Sequence, residues 1–245
     1  MILDFAVEVE RLNKFYGKFH ALKDVSFNVN SGEIYGLIGP NGAGKTTTLR
    51  IIATLLSPSS GVVKVFGMNV VNDADKVRRI ISYLPEEAGA YKYLTGYEYL
   101  NFMASLYVKD KAEVKKLIEE AELICGLNGR LKDKIGTYSK GMLRRLLVAR
   151  SLMIRPKLAI LDEPTAGLDV IHSQYVRRII KDYAKRNNVT MIISSHNMLE
   201  VEYLCDRVAL IHEGRIILEG SPSELKNKFS ASNLEEVFSK VVKLA

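Results

Sequence analysis

Cysteine is scarce, with only Cys125 and Cys205 in 245 residues, far apart and outside any metal-type spacing. That excludes a disulfide scaffold and a thiolate-clustered metal centre. It leaves two small apolar side chains suited to burial in a reducing compartment. Long hydrophobic runs are also missing, since none approaches the ~18 residues that a membrane-crossing helix needs. Met1 to Glu10 holds acidic residues and no basic one, unlike the start of a secretory signal. These absences together predict a soluble, cytoplasmic chain. Internal repeats, low-complexity tracts and evident linkers are lacking, so one functional unit is expected, not two. There is no long run of one charge either. The net charge is +7, with basic pairs at Arg78–Arg79, Lys115–Lys116, Arg144–Arg145 and Arg177–Arg178; these read as solvated surface, and no nucleic-acid partner is expected.

What is present is ordinary globular material, 47% hydrophobic and 26% charged, enough for one large α/β domain or a domain with a sub-lobe. Val7–Arg11 and Val25–Val29 read as strands, the second by its alternation of apolar and polar residues. Ile34–Ile38 is nearly continuous in apolar residues, as a strand buried on both faces requires. A helix from Lys45 to about Leu56 and a strand over Val62–Phe66 follow. The segment from about 90 to 155 has no strand signal. Helical patterns run there from Thr95, which forms a capping box with Glu98, to about Tyr107, and from Lys111 to Cys125. Leu158–Leu161, Val189–Ser195 and Arg207–His212 then alternate with helices in parallel-sheet rhythm, and Arg215–Leu218 is a last strand. Ser221 and Glu224 make a second capping box, with Pro222 at the first helical position. Leu234, Val237, Phe238, Val241 and Val242 recur at helical spacing in an amphipathic tail.

Two short segments carry the chemistry. Gly39-Pro40-Asn41-Gly42-Ala43-Gly44-Lys45-Thr46 fits G-x-x-x-x-G-K-[ST] between a strand and a helix. Glycines let the backbone wrap phosphate oxygens with its N–H groups turned inward, and the helix adds its positive end at the same place. Lys45 would then reach the β- and γ-phosphates and the Thr46 hydroxyl would hold Mg²⁺. The second segment, Leu158–Glu163, sets two carboxylates after a buried strand, at the sheet edge where ligands bind. Asp162 can hold Mg²⁺ and Glu163 can take a proton from an attacking water.

The order of the remaining pieces resembles the ATP-binding cassette ATPases. Tyr138-Ser139-Lys140-Gly141-Met142 resembles their signature motif, and Asp162-Glu163-Pro164-Thr165-Ala166-Gly167-Leu168-Asp169 their second acidic motif running into the D-loop. Ser194-Ser195-His196 resembles the switch-histidine segment, and Lys14-Phe15-Tyr16-Gly17 the aromatic loop that stacks on adenine. The resemblance covers about residues 6–226. It implies an α/β fold: a P-loop NTPase core with a mostly parallel sheet, an N-terminal antiparallel β subdomain and an inserted helical subdomain. The cassette would span 1–226, with the helical part at about 90–155, and 227–245 would form the tail. The implied activity is Mg²⁺-dependent ATP hydrolysis. Glu163 and His196 would serve catalysis, and Thr46, Asp162 and Glu86 the metal. Tyr16, the loop from Gly39 to Thr47, Ser139, Lys140, Gly141 and Asp169 would contact nucleotide, the Ser139 loop doing so across a dimer of two ATPase subunits.

Read alone, Ser139 is equally a plain helix cap, and Tyr16 an ordinary surface aromatic. Two departures stand out. Glu86, with Glu87 as its neighbour, takes the place where the family usually has glutamine, and Lys140 and Met142 replace a glycine and a polar residue of the signature. Within the family the chain is most similar to ATPase subunits of ABC-2-type exporters, on Tyr83–Glu87, the signature and Asn233–Phe238. That implies a separate transmembrane permease as partner and a peripheral place on the cytoplasmic face of the membrane. Tyr91, Tyr93, Tyr97 and Tyr99 either face that partner or pack the helical lobe. A soluble cassette acting on a non-membrane partner is the alternative.

Overall fold

A computed structural model describes residues 5–242. The first four residues of the segment read for a secretory signal, and residues 243–245 of the tail, lie outside the described residues. Two sheets share the chain. Strands β1 (Phe5–Tyr16), β2 (Phe19–Asn30), β4 (Ser60–Val65) and β5 (Met68–Asn69) make an antiparallel sheet in the order β2-β1-β4-β5. Strands β3 (Ile34–Ile38), β6 (Ile81–Leu84), β7 (Leu158–Asp162), β8 (Thr190–Ser195), β9 (Arg207–His212) and β10 (Arg215–Gly220) make the other, ordered β10-β9-β3-β8-β7-β6. Every pairing in this second sheet is parallel except β9 with β10.

The apolar runs of the parallel strands divide by the period of two between two cores. Tyr35, Leu37, Leu158, Ile160, Ile192, Ala209 and Ile211 face the antiparallel sheet and α1 (Lys45–Ile52). Their neighbours Ile34, Ile38, Ala159, Leu161, Met191, Ile193, Val208 and Leu210 face a helical layer. Both faces are thus covered, the reason these strands show no polar alternation. Fully burying each such side chain contributes about 1.5–3 kcal/mol.

The helical layer contains α3 (Gly96–Ser105), α4 (Lys111–Cys125) and α5 (Lys140–Met153), joined by short 3-10 turns at Asn128–Lys132 and Ile135–Thr137. Thr95 and Glu98 form the expected capping box: the Glu98 amide donates to Thr95 Oγ1 at 3.1 Å and the Thr95 amide to Glu98 Oε2 at 2.7 Å. A second box closes on Ser221 at the start of α8 (Pro222–Lys228). Helix α2 (Ala74–Arg78) precedes β6, and helices α6 (Val170–Asn187) and α7 (Met198–Leu204) link the later strands. Helix α9 (Leu234–Val242) buries Leu234 and Val237 in the same core as the helical layer.

Several boundaries differ from the sequence reading, among them β4, which spans Ser60–Val65 and not Val62–Phe66, and α3, which ends at Ser105 and not Tyr107. Strands β1 and β2 extend to a two-residue hairpin at Gly17-Lys18, and irregular register between Val9 and Phe15 breaks the alternation that would have revealed it. Helix α1 stops at Ile52, four residues before Leu56, because Thr54 turns into the left-handed region (φ 61°). The last strand runs on to Gly220, paired with Val208.

Candidate active site

Strand β3 delivers the loop 39–44 to the start of α1, and the loop is shaped by contacts that only glycine allows. A side chain on Gly39 would press into the Ile211 carbonyl, and Gly44 combines φ 110° with Leu22 only 2.6 Å from where a Cβ would sit. No side chain caps α1 at Gly44, so the positive end of that helix is left for a ligand. Lys45 is 6% exposed, and its ammonium folds back to donate to the carbonyls of Gly39 (2.7 Å) and Pro40 (3.2 Å). It also stands 3.5 Å from Glu163 Oε1.

The two carboxylates are set by β7 and its neighbour β8. Asp162, 1% exposed, is register partner to Ser194. Its Oδ1 accepts from Ser194 Oγ (2.5 Å) and Thr46 Oγ1 (3.3 Å), and its Oδ2 from the Tyr83 hydroxyl (3.3 Å). Burial, with the charge of Asp162 next, pushes the Tyr83 phenol up to about 12, so Tyr83 keeps its proton and stays a donor at neutral pH. Glu163 sits in the left-handed region at φ 47°, a conformation costing roughly 1–3 kcal/mol in a non-glycine residue. Its amide is held by Ser194 through the carbonyl (3.2 Å) and the hydroxyl (3.0 Å). Glu163 Oε2 is 2.9 Å from His196 Nδ1, while its buried Oε1 has no hydrogen-bond donor.

Tyr16, Pro40, Asn41, Gly42, Gly44, Lys45, Thr46, Thr47, Glu86 and Glu163 line one cleft of about 350 Å³. Asp162 lies behind Thr46, His196 borders Glu163, and Ala43 is buried beneath the loop with its carbonyl bonded to the Gly214 amide. Four predicted contacts are not brought into this cleft. Ser139, Lys140 and Gly141 stand at the start of α5 and Asp169 at the start of α6. Ser139 Oγ accepts from the Met142 amide (3.2 Å), and Asp169 from the amide (2.9 Å) and Nδ1 (2.7 Å) of His172. The His172 ring packs so tightly on Gly141 that no Cβ fits between them. Within one chain Ser139 and Asp169 are therefore helix caps, Gly141 is a helix contact and Lys140 is exposed.

Three functional residues escaped the sequence reading. Phe19 is the cross-strand partner of Tyr16 at the hairpin turn and lines the cleft beside it; an aromatic three residues after Tyr16 was its signal. Glu200, 2% exposed, accepts from Thr165 Oγ1 (2.6 Å) and Ser195 Oγ (3.1 Å), tying the loop after Glu163 to the strand before His196. Burial drives its carboxyl pKa up. Arg144 corrects the surface reading of the basic pairs. It is 6% exposed and donates to backbone carbonyls around Glu86 and Glu163. Its neighbour Arg145 donates to the Cys125 and Gly126 carbonyls and covers the Tyr175 ring.

A triphosphate with Mg²⁺ fits this donor set. Lys45 holds two carbonyls and pairs with Glu163 Oε1 at 3.5 Å, that oxygen accepts no hydrogen bond, and Thr46 and Asp162 offer two hard oxygens 3.3 Å apart. Mg²⁺ bound through one or two protein oxygens and substrate phosphates needs no acidic cage, and among the described residues no group of three or more His, Cys, Asp or Glu is placed for metal. Comparison with known proteins agrees. The family described as ABC transporter matches residues 22–166. The linearmycin resistance ATP-binding protein LnrL of Bacillus subtilis (strain 168) is 37% identical over 93% of this chain and 73% of its own. The bacitracin transport ATP-binding protein BcrA of Bacillus licheniformis is 40% identical over 91% and 72%. Among solved structures, cbiO1 from Clostridium perfringens, part of the ABC transporter complex cbiONQ, superposes with a TM-score of 0.84. It is 30% identical over 97% of this chain and 94% of that one.

Proposed function

The chain belongs to the ABC transporter family, and from that premise we infer that it is the ATP-hydrolysing subunit of an exporter whose membrane pathway is a separate permease. It binds ATP with Mg²⁺ and hydrolyses it. No helix of the described residues is long and apolar enough to cross a membrane, so in this reading the chain works from the cytoplasmic face. Its similarity to proteins named for bacitracin transport and linearmycin resistance supports export. Tyr91, Tyr93 and Tyr97 are exposed, Tyr91 lying edge-on to Phe102 and Tyr99, whereas Tyr99 is buried and packs the helical layer. That splits the tyrosine patch into three rings free for a membrane partner and one core residue. We assign 1–226 to the cassette, 90–155 to its helical lobe and 227–245 to the tail.

The observation that carries the mechanism is the buried Glu163 Oε1 at the cleft wall, which accepts no hydrogen bond and has only the Lys45 ammonium near it, at 3.5 Å, while His196 holds Oε2. Glu163 is the general base: its free oxygen takes a proton from a water, while His196 fixes the other oxygen. Lys45 leaves the Gly39 and Pro40 carbonyls to hold the phosphates, the loop amides orient them, and Tyr16 with Phe19 receives the base. Thr46 and Asp162, with Glu86 at the rim, would hold Mg²⁺, which when bound would supply positive charge against that developing on the transferred group. Ser139, Lys140, Gly141 and Asp169 act on the nucleotide of a second copy, so that two chains close head to tail around two ATP molecules and reopen after hydrolysis.

The test is recovery of tagged Glu163→Gln chain from detergent-solubilised membranes with ATP, followed by mass spectrometry. A polytopic membrane protein in stoichiometric amount is expected. Recovery from the soluble fraction alone, with soluble partners or none, would overturn the transporter reading and leave the ATPase in place.

A further inference from the structure

Arg144 lies one and a half turns into α5 from Ser139, and every one of its five N–H groups meets a backbone carbonyl. Nε donates to Pro164 (2.8 Å), Nη1 to Pro85 (3.2 Å) and Glu86 (3.0 Å), and Nη2 to Asp162 (2.9 Å) and Glu163 (2.6 Å). These carbonyls belong to the last residue of β7, Asp162, and to the two loops that leave the ends of the neighbouring strands β6 and β7. Beyond Leu84 and Asp162 the ladder stops, and Pro85 and Pro164, which lack an N–H, cannot extend it. The guanidinium replaces that ladder with a planar fork reaching both loops at once. No carboxylate oxygen is among its hydrogen-bond partners, although Asp162, Glu86 and Glu200 lie near enough to favour the cation against burial.

We propose that Arg144 is a positioning residue for hydrolysis, which couples the orientation of α5 to the placement of Glu163 and Glu86 at the cleft. The coupling has three parts on one rigid helix. Ser139 caps its start, Arg144 grips both loops, and Leu146, Leu147 and Leu152 anchor it in the core. The hydrogen bond to the Glu163 carbonyl also secures a residue held at φ 47°, where the backbone would otherwise relax towards an unstrained region. Rotation of α5 moves both loops together, so the general base is aligned only for one setting of the helix. The inference rests on Glu163 being that base.

The experiment uses the full chain with Arg144→Lys, Arg144→Gln and Glu163→Gln. Lysine keeps a cation but is a point charge with three donors, and cannot span both loops. Equilibrium ATP binding and KM should stay within about threefold of the parent, since no atom of Arg144 reaches the cleft. Removing charge-assisted bonds to buried carbonyls should lower kcat by about tenfold in Arg144→Lys and about a hundredfold in Arg144→Gln. Without nucleotide, amide hydrogen exchange over 86–88 and over 165–168 should rise together in Arg144→Lys. Should Arg144→Gln fail to fold, the lysine variant and its exchange carry the test. A kcat within threefold of the parent in Arg144→Lys overturns the proposal, as does a matching rise in KM or faster exchange in only one loop. Full turnover by Glu163→Gln would remove the general base instead. The paired exchange of the two loops would still decide whether Arg144 links them.

Discussion

The cleft around Lys45 and the helix starts at Ser139 and Asp169 handle charge in opposite ways. In the cleft, polar groups are buried and left short of hydrogen-bond partners: Glu163 Oε1 accepts none, and Lys45, 3.5 Å from it, donates only to two loop carbonyls. At the helix starts the same kinds of group are exposed and satisfied within the chain. Ser139 and Asp169 cap their own helices and Lys140 faces solvent. A buried group with unmet hydrogen-bonding capacity costs free energy until a ligand supplies it, whereas a capped helix end is stable alone and gives up little when a partner arrives. On the function proposed above, the difference teaches that one chain would hold a nearly complete catalytic half-site, with the helix starts as the surface offered to a second copy's nucleotide.

The largest effect expected from this contrast lies on the cleft side. Glu163→Gln keeps the shape and removes the base, so kcat should fall by about 10²–10⁴, the usual contribution of general-base catalysis. ATP binding should persist, and size-exclusion chromatography with ATP should show a dimer. A monomer under those conditions would break the comparison, because the surface side would then not be using a second copy. On that side, Ser139→Ala removes a cap worth about 0.5–2 kcal/mol and should lower the melting temperature modestly. Its ATP affinity as a monomer should match the parent, and the ATP-dependent dimer of the double variant with Glu163→Gln should weaken. Loss of monomer affinity instead would place Ser139 in its own chain's cleft.

Most of the cleft was legible because its residues follow strand ends in chain order. Lys45 and Thr46 come after Ile34–Ile38, Asp162 and Glu163 after Leu158–Leu161, and His196 after the strand ending at Ser195. Apolar strands flanked by glycine or acids announce their ends, and capping boxes at Thr95 and Ser221 announce helix starts. What stayed hidden depends on tertiary partners. Arg144 looks like half of a surface pair until the proline-interrupted carbonyls of two distant loops are seen to need donors. Phe19 needs the hairpin register that pairs it with Tyr16. The left-handed backbone of Glu163 follows from its bonds to Ser194 and Arg144, which no local pattern encodes.

The smallest effect concerns Tyr83, on the buried side of the comparison. Its phenol donates to Asp162 Oδ2 and is pushed up to about 12 by burial first and by the Asp162 charge second. A free tyrosine titrates near 10, so between about pH 10 and about 12 the unfolded chain has lost this proton and the folded chain retains it. The stability tied to that proton is fully present below about pH 10 and is lost as the pH rises through the folded value. Tyr83→Phe removes the titrating group, so its unfolding midpoint should fall less steeply over that window than the parent's, with the two parallel at pH 7–9. Tyr35 and Tyr183 are also raised by burial and will account for the alkaline loss that remains. Denaturant midpoints at closely spaced pH values make the check. Identical slopes in parent and variant would mean that burial and the Asp162 charge do not raise the phenol in the folded chain.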